Sequence, residues 1–251
     1  MRWLREAGDA TIIEGKLKMK IYISGIKEFI SLKGLELATA ARRARIDRYR
    51  RADDKARCLV AGLLLRQVCG VTDDSQLAYG VNGKPFLKDG GAHFSISHSG
   101  DYVALAEADM EIGVDIEKLA PYSESVAARC FMPAELEWMR QDNSSEAFFH
   151  LWTAKESVMK GSGLGLALAP ETFSVLPEAD CRGKWPDAED RWSMDRVCIG
   201  TEFFPFYADC FQKEPTCSFA VPAAGRKWFM HWLPYDGHMI CCAAEDAIFV
   251  L

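Results

Sequence analysis

Hydrophobic and polar positions change their period several times along this chain, and each change marks an element. Residues 1–18 are polar and mixed, and read as an extension ahead of the fold. At Met19 the text turns to Lys20-Ile21-Tyr22-Ile23-Ser24, a short β-rich run. Leu35 to Arg51 is rich in Ala and Arg and predicts a helix. Asp53 and Asp54 supply acidic residues for the start of a second helix, Lys55 to Val68, with Leu59, Leu63 and Leu64 on its apolar side. Loop chemistry follows at Asn82-Gly83-Lys84-Pro85 and Asp89-Gly90-Gly91. His93 to His98 then alternates like a strand, with Phe94 and Ile96 on one face. Ser99-Gly100-Asp101 predicts the turn into a strand over Tyr102 to Glu107, and Glu111 to Glu117 predicts another. Helical patterns cover Ser123 to Arg140 and Glu146 to Lys160, and His238 to Ala244 predicts a closing strand. Residues 177–226 carry little periodic signal. Strands and helices interleave without a regular parallel-sheet period, without heptads and without repeats. The class is α+β, or α/β in a loose sense.

Composition narrows the function classes. The chain has 251 residues, 49% hydrophobic and 26% charged, enough for one large domain or two small ones. A net charge of -6 and a pI near 5.5 argue against a general nucleic-acid binder. Locally the sign reverses, because Arg42, Arg43, Arg45, Arg48, Arg50 and Arg51 crowd into ten positions. Taken alone, such a cluster is a solvated helix face. No apolar run reaches the roughly 18–20 residues that span a bilayer, and the N-terminus lacks a secretory h-region. Nine cysteines form no C-x-x-C pair, and Cys241 and Cys242 are poorly placed to bridge each other. They read as thiols of a cytoplasmic protein.

Three short motifs carry candidate chemistry. In Ile112-Gly113-Val114-Asp115-Ile116-Glu117, strand alternation sends Val114 and Ile116 one way and the two carboxylates the other. The Cα atoms of Asp115 and Glu117 would lie roughly 6.5–7 Å apart, close enough to converge on one cation. Gly113 is expected to leave room beside them for a bulky ligand. A solvated acidic strand would look the same. In Phe149 to Lys160, Trp152, Glu156 and Lys160 fall at i, i+4 and i+8 along the edge of an apolar arc. They are either an acid and a base aimed into a cleft or a surface ion pair worth roughly 0.3–0.5 kcal/mol. Ser97-His98-Ser99 ends a strand, with Lys84 in the turn before it, and could bind an anion. Gly161-Ser162-Gly163-Leu164-Gly165 follows a helix instead of opening one, so it is a helix cap and turn and no nucleotide loop.

Together these units resemble the Sfp-type 4'-phosphopantetheinyl transferases. Gly113 to Glu117, Trp152 to Lys160 with Gly163-Leu164-Gly165-Leu166 behind it, Gly83-Lys84-Pro85 and Phe94 to Ser99 match the family's motifs in order and spacing. The resemblance runs from about Met19 to Val175. It implies a pseudo-dimer of two similar α/β subdomains, over 19–110 and 111–251, with the active site in the cleft between them. It implies transfer of the phosphopantetheine arm of coenzyme A to a serine of an apo acyl or peptidyl carrier protein, releasing 3',5'-adenosine bisphosphate. Asp115, Glu117 and Glu156 would hold Mg²⁺, and Glu156 is also the favoured general base. Lys160 would contact the phosphates. Lys84, Ser97, His98 and Arg57 would bind the nucleotide end, with Arg42 and Arg45 as further phosphate contacts. Glu135 matches another acidic position near the site. Expected partners are coenzyme A and a carrier of fatty acid, polyketide or nonribosomal peptide synthesis, with no nucleic acid and no membrane. The expected state is a monomer. A non-catalytic module binding coenzyme A or a carrier is the competing reading, and retention of all three acidic residues argues against it. An unrelated Mg²⁺-dependent phosphotransferase lacks a phosphate-cradling loop here.

Overall fold

The computed structural model describes residues 19–142, 144–176, 193–201, 204–213 and 220–245, the segments within 193–221 through their backbone alone. Its helices are α1 (Ala40–Arg48), α2 (Ala52–Val68), α3 (Glu124–Cys130), α4 (Pro133–Asp142) and α5 (Ser145–Gly161). The strands are β1 (Met19–Gly25), β2 (Leu77–Tyr79), β3 (Pro85–Leu87), β4 (His93–Ser99), β5 (Tyr102–Ala108) and β6 (Ile112–Lys118) in the first part of the chain. After α5 come β7 (Ser193–Thr201), β8 (Phe204–Lys213), β9 (Ala220–Ala223), β10 (Arg226–Tyr235) and β11 (His238–Glu245). An antiparallel sheet has the order β4-β5-β1-β8-β7, a second has the order β6-β11-β10-β9, and β2 and β3 form a separate hairpin. Residues 193–213 thus return to the sheet that contains β1.

Strand alternation divides the interior into three apolar layers. On β5, Val103 and Leu105 face α2, while Ala104 and Ala106 face the second sheet. On β6, Ile112, Val114 and Ile116 join that same inter-sheet layer. Residues paired directly across two strands share a face, and Gly113, Asp115 and Glu117 lie opposite Ala243, Cys241 and Met239 of β11. Those three β11 residues pack in the layer beneath α5, so both carboxylates are on the α5 side.

Several boundaries differ from the sequence reading, each for a local reason. The first helix begins at Ala40, because Ala38 is extended and the Thr39 hydroxyl caps the Arg42 amide. Residues 35–37 form only a 3₁₀ turn. The second helix begins three residues early, at Ala52. The helix predicted over Ser123 to Arg140 is two helices, broken at Phe131-Met132 and restarted at Pro133, which has no N–H to continue the first. Pro85 to Leu87, read as loop, pairs with Leu77 to Tyr79. Strands β7 to β10 cross the stretch where no period was visible. Residues 1–18 lie outside the described set. Among the described residues, no helix is long and apolar enough to cross a membrane.

Two contacts fix α5 on its sheet. A Cβ built on Gly113 would lie 1.8 Å from the Ser157 carbonyl oxygen and 2.5 Å from the Gly161 amide nitrogen. Gly113 therefore leaves no room for a ligand, contrary to the sequence expectation: helix backbone occupies that space. On the far side, Lys155 and Glu135 form an ion pair at 2.8 Å with both side chains 0% exposed. Lys155 also donates to the carbonyls of Pro170 and Phe173, while Glu135 accepts from the amides of Met132 and Val175. Burial lowers the Lys155 pKa, and Glu135 opposes that shift. Glu135 is thus committed to packing α4 and α5 together, and removing either partner would strand a buried charge at a cost of about 3–5 kcal/mol. Gly113→Ala is expected to cost at least about 3 kcal/mol, the upper range for overpacking, because backbone has to move. Chemical denaturation of the purified variant checks this; stability within error of the parent would show that α5 does not rest on β6 as described.

Candidate active site

The site forms where one face of β4 abuts the free edge of β6 and the last turns of α5 run above both. The two strands are joined by side chains. Ser95, Ser97 and Ser99 alternate along β4 and all face β6. The Ser95 hydroxyl accepts from the Val114 amide at 3.0 Å, and the Ser99 hydroxyl accepts from the Lys118 amide at 3.1 Å. Between them, Ser97 donates to the Asp115 carboxylate at 2.8 Å.

Asp115 is 2% exposed and sits at the centre. One carboxylate oxygen receives Ser97 and the Lys160 ammonium, the latter at 2.6 Å, and Lys160 also donates to Ser97 at 2.8 Å. The other oxygen, Oδ2, is buried and meets no donor among the described residues. Glu117 accepts from the Ser99 hydroxyl at 2.9 Å. Its carboxyl is pushed above the usual range by burial and then by Asp115, against the pull of Ser99, Lys160 and the Trp152 indole. Glu156 is also pushed up, by burial and then by Asp115, with Lys160 opposing. Trp152, Glu156 and Lys160 therefore do lie along one edge of α5, running antiparallel to β6, with Glu156 between the partners of Glu117 and Asp115. Among the described residues, no three potential ligands stand already gathered at metal-binding geometry. Lys160 occupies the oxygen of Asp115 nearest the helix.

The remaining predicted residues form an arc around this centre. His98 lies opposite Val103 on the α2 side of β4, with part of its ring exposed, and its imidazole pKa is lowered, first by desolvation and then by the positive charges of Arg57, Lys160 and Arg45. Arg57 is tied to Asp54 at 2.6 Å and to the Gly100 carbonyl at 2.5 Å, which holds the β4–β5 turn against α2. Arg42 and Arg45 line a small recess with Thr39, Asp74 and Tyr79. Lys84 is drawn elsewhere: its ammonium donates to Glu111 at 2.5 Å and to the Gly161 carbonyl at 2.7 Å, joining the β2–β3 hairpin to the end of α5. A cleft of about 210 Å³ lies between Lys84, Phe94, Ile96, Met159 and Lys160. At its floor Gly163, with φ +71°, ends α5 in the left-handed conformation that glycine adopts readily.

Two family models match consecutive stretches, the 4'-phosphopantetheinyl transferase N-terminal family over residues 31–110 and the 4'-phosphopantetheinyl transferase superfamily over residues 111–193. The Bacillus subtilis (strain 168) 4'-phosphopantetheinyl transferase Sfp is 36% identical over 192 residues, covering 73% of this chain and 80% of the relative. The chain belongs to the 4'-phosphopantetheinyl transferase family. The Nostoc sp. 4'-phosphopantetheinyl transferase HetI is 32% identical over 208 residues, 75% of this transferase and 81% of its own length. A further Bacillus subtilis 4'-phosphopantetheinyl transferase is 35% identical over 153 residues, 57% of this chain and 67% of the relative. The matched stretches contain every residue of the centre, from Ser97 to Lys160.

Sequence reasoning left three participants without a role. Ser99 holds Glu117, Trp152 interacts with the same carboxylate, and Glu111 engages Lys84 and, at 3.3 Å, His93. The Ser-x-Ser-x-Ser spacing of β4 was the available signal for the first. The raised carboxyls predict a pH signature. A carboxyl whose folded pKa is raised stabilises the fold below its unfolded value, and that contribution is lost as pH rises through the folded value. Glu117→Gln in metal-free protein is therefore expected to raise the melting temperature at pH 7, with the gain shrinking as pH falls toward 4.5. A gain that grows on acidification would contradict the repulsion described here.

Proposed function

We propose that this transferase binds coenzyme A and a divalent cation, Mg²⁺, in the cleft between β4, β6 and α5. It moves the phosphopantetheine arm onto a serine of an apo acyl or peptidyl carrier protein. The observation that carries this reading is the buried Oδ2 of Asp115, without a donor among the described residues, flanked by Glu117 and Glu156, whose ionisation is opposed by burial and then by the charge of Asp115. Such a group of hard oxygens lacks positive charge, and a small divalent cation that keeps water and substrate phosphate in its shell fits that deficit. Asp115, Glu117 and Glu156 would hold the ion. Bound there, it would supply charge neutralisation for the pyrophosphate and the departing bisphosphate.

The chain's own groups account for the rest. Lys160 neutralises Asp115 in the free protein and is within reach of an incoming phosphate, so it can exchange one anion for another without leaving a bare charge. Arg57 and Arg45 give the approach to the cleft a positive field, and His98, whose charged form burial and those charges disfavour, can donate a neutral hydrogen bond there, which suits the nucleotide end of coenzyme A in an otherwise acidic protein. Glu156, whose carboxyl burial and then Asp115 raise above its ordinary value, is suited to take the proton of the carrier serine. Two units over 19–110 and 111–251 would meet at the β4–β6 seam and again where β8 pairs with β1.

Incubation with coenzyme A, Mg²⁺ and an apo carrier is expected to add a phosphopantetheine mass to the carrier, and chelation of the metal is expected to abolish the addition. Asp115→Ala and Glu156→Ala are each expected to slow the reaction more than tenfold. Intact-protein mass spectrometry against a panel of apo carriers measures both. No mass shift on any carrier would favour a binding module without activity, and near-parental rates in both variants would mean that the site lies elsewhere.

A further inference from the structure

We propose that Ser99 is a positioning residue that sets the carboxylate of Glu117 for the divalent cation. This inference rests on the metal reading of Asp115, Glu117 and Glu156, and goes beyond it by assigning the group that orients one of the three.

The geometry separates Ser99 from its two companions on β4. Ser95 meets β6 only through the Val114 amide, so its hydroxyl serves the seam. Ser97 is shared between Asp115 and Lys160. Ser99 does two things at once. Its oxygen accepts from the Lys118 amide at 3.1 Å, which fixes the hydroxyl against the backbone one residue beyond Glu117, and its proton goes to Glu117 Oε2 at 2.9 Å. A hydroxyl has one proton and two lone pairs. With the amide as donor on one side, the carboxylate becomes the acceptor of that proton, and the direction of the bond is set by the backbone.

Glu117 needs such a restraint more than Asp115 does. It has one more methylene, it sits near the end of β6, and it is less buried than Asp115. Left free, its carboxylate would turn away from the like charge of Asp115. The Ser99 bond fixes Oε2 and the Trp152 indole bears on the same carboxylate, which still has lone pairs to offer an ion. Groups that orient a metal-ligating carboxylate in this way typically contribute 10–100-fold to metal affinity or activity.

The test compares Ser99→Ala with Ser95→Ala in the full-length protein, since both remove one hydroxyl from the seam but only the first touches a carboxylate. Two quantities are read in the presence of coenzyme A: the dissociation constant for Mn²⁺ by electron paramagnetic resonance, and the Mg²⁺ concentration giving half-maximal transfer. Ser99→Ala is expected to raise both by about tenfold or more. Ser99→Thr, which keeps the hydroxyl, is expected to restore them, and Ser95→Ala is expected to lower the melting temperature with both unchanged. If Ser99→Ala does not fold, Ser99→Thr and Ser99→Val, which differ only in the hydroxyl, make the same comparison. Unchanged Mn²⁺ affinity and Mg²⁺ half-saturation, with only a lowered melting temperature, would reduce Ser99 to a seam residue and overturn the assignment. A parent protein that binds Mn²⁺ no better than Asp115→Ala would instead remove the metal reading itself, and this inference with it.

Discussion

Backbone-to-backbone contact between α5 and β6 is the constraint on which the rest of the site depends. A helix normally stands off a sheet by the thickness of two side-chain layers. Here Gly113 has no side chain, and the Ser157 carbonyl and Gly161 amide come down into the space that a Cβ would fill. Gly161 is equally confined, since a Cβ there would reach within 2.7 Å of Trp228. Side chains on either side of Glu156 lock the same approach. Ser157 donates to the Cys241 carbonyl of β11 at 2.7 Å, and Lys155 is held by Glu135 and two carbonyls. The helix can neither rise nor roll, so Glu156 and Lys160 stay over the strand carboxylates.

That closeness sets up the electrostatics. Three carboxylates and one ammonium share a partly buried region, and the ammonium reaches only one of the three directly. Burial first, and then the charge of Asp115, raises the carboxyls of Glu117 and Glu156, and one Asp115 oxygen has no donor among the described residues. An arrangement of this kind costs stability in the free protein and binds a cation in return, because the repulsion relieved on binding adds to affinity. Lys160 is the one ammonium described within the centre, and the guanidinium groups of Arg57 and Arg45 lie outside it, where they can attract a polyanion without neutralising Glu117 and Glu156 in advance.

Much of this was legible in the sequence, and the parts that were not share a cause. Alternation along β6 separated Asp115 and Glu117 from Val114 and Ile116, and the i, i+4, i+8 spacing put Trp152, Glu156 and Lys160 on one edge, because periodicity within an element is a local property. Gly113 was misread because a glycine in a sequence shows only that a side chain is missing, and not what fills the gap; its partner, Ser157, lies 44 positions away. Lys84 was read as an anion-binding lysine in a turn, and it does line the cleft; what its place in the sequence did not show is that Glu111 and the end of α5, both brought near by tertiary structure, also hold its ammonium. The break at Pro133 was visible in the residue itself and was outweighed by the helical pattern on either side. Strands β7 to β10 follow no clean polar alternation: in Arg226–Tyr235 most positions from Trp228 to Leu233 are buried on both faces, so a two-residue period cannot show.

The most direct measurement is a crystal structure with coenzyme A and Mn²⁺, the ion located by its anomalous scattering. The account predicts one peak between β6 and α5, within roughly 2.0–2.3 Å of oxygens from Asp115, Glu117 and Glu156 and of the pyrophosphate. It also predicts that Lys160 has left Asp115 for a phosphate oxygen. A peak held by other residues, or a bound coenzyme with the Lys160–Asp115 pair intact and no ion beside it, would contradict it.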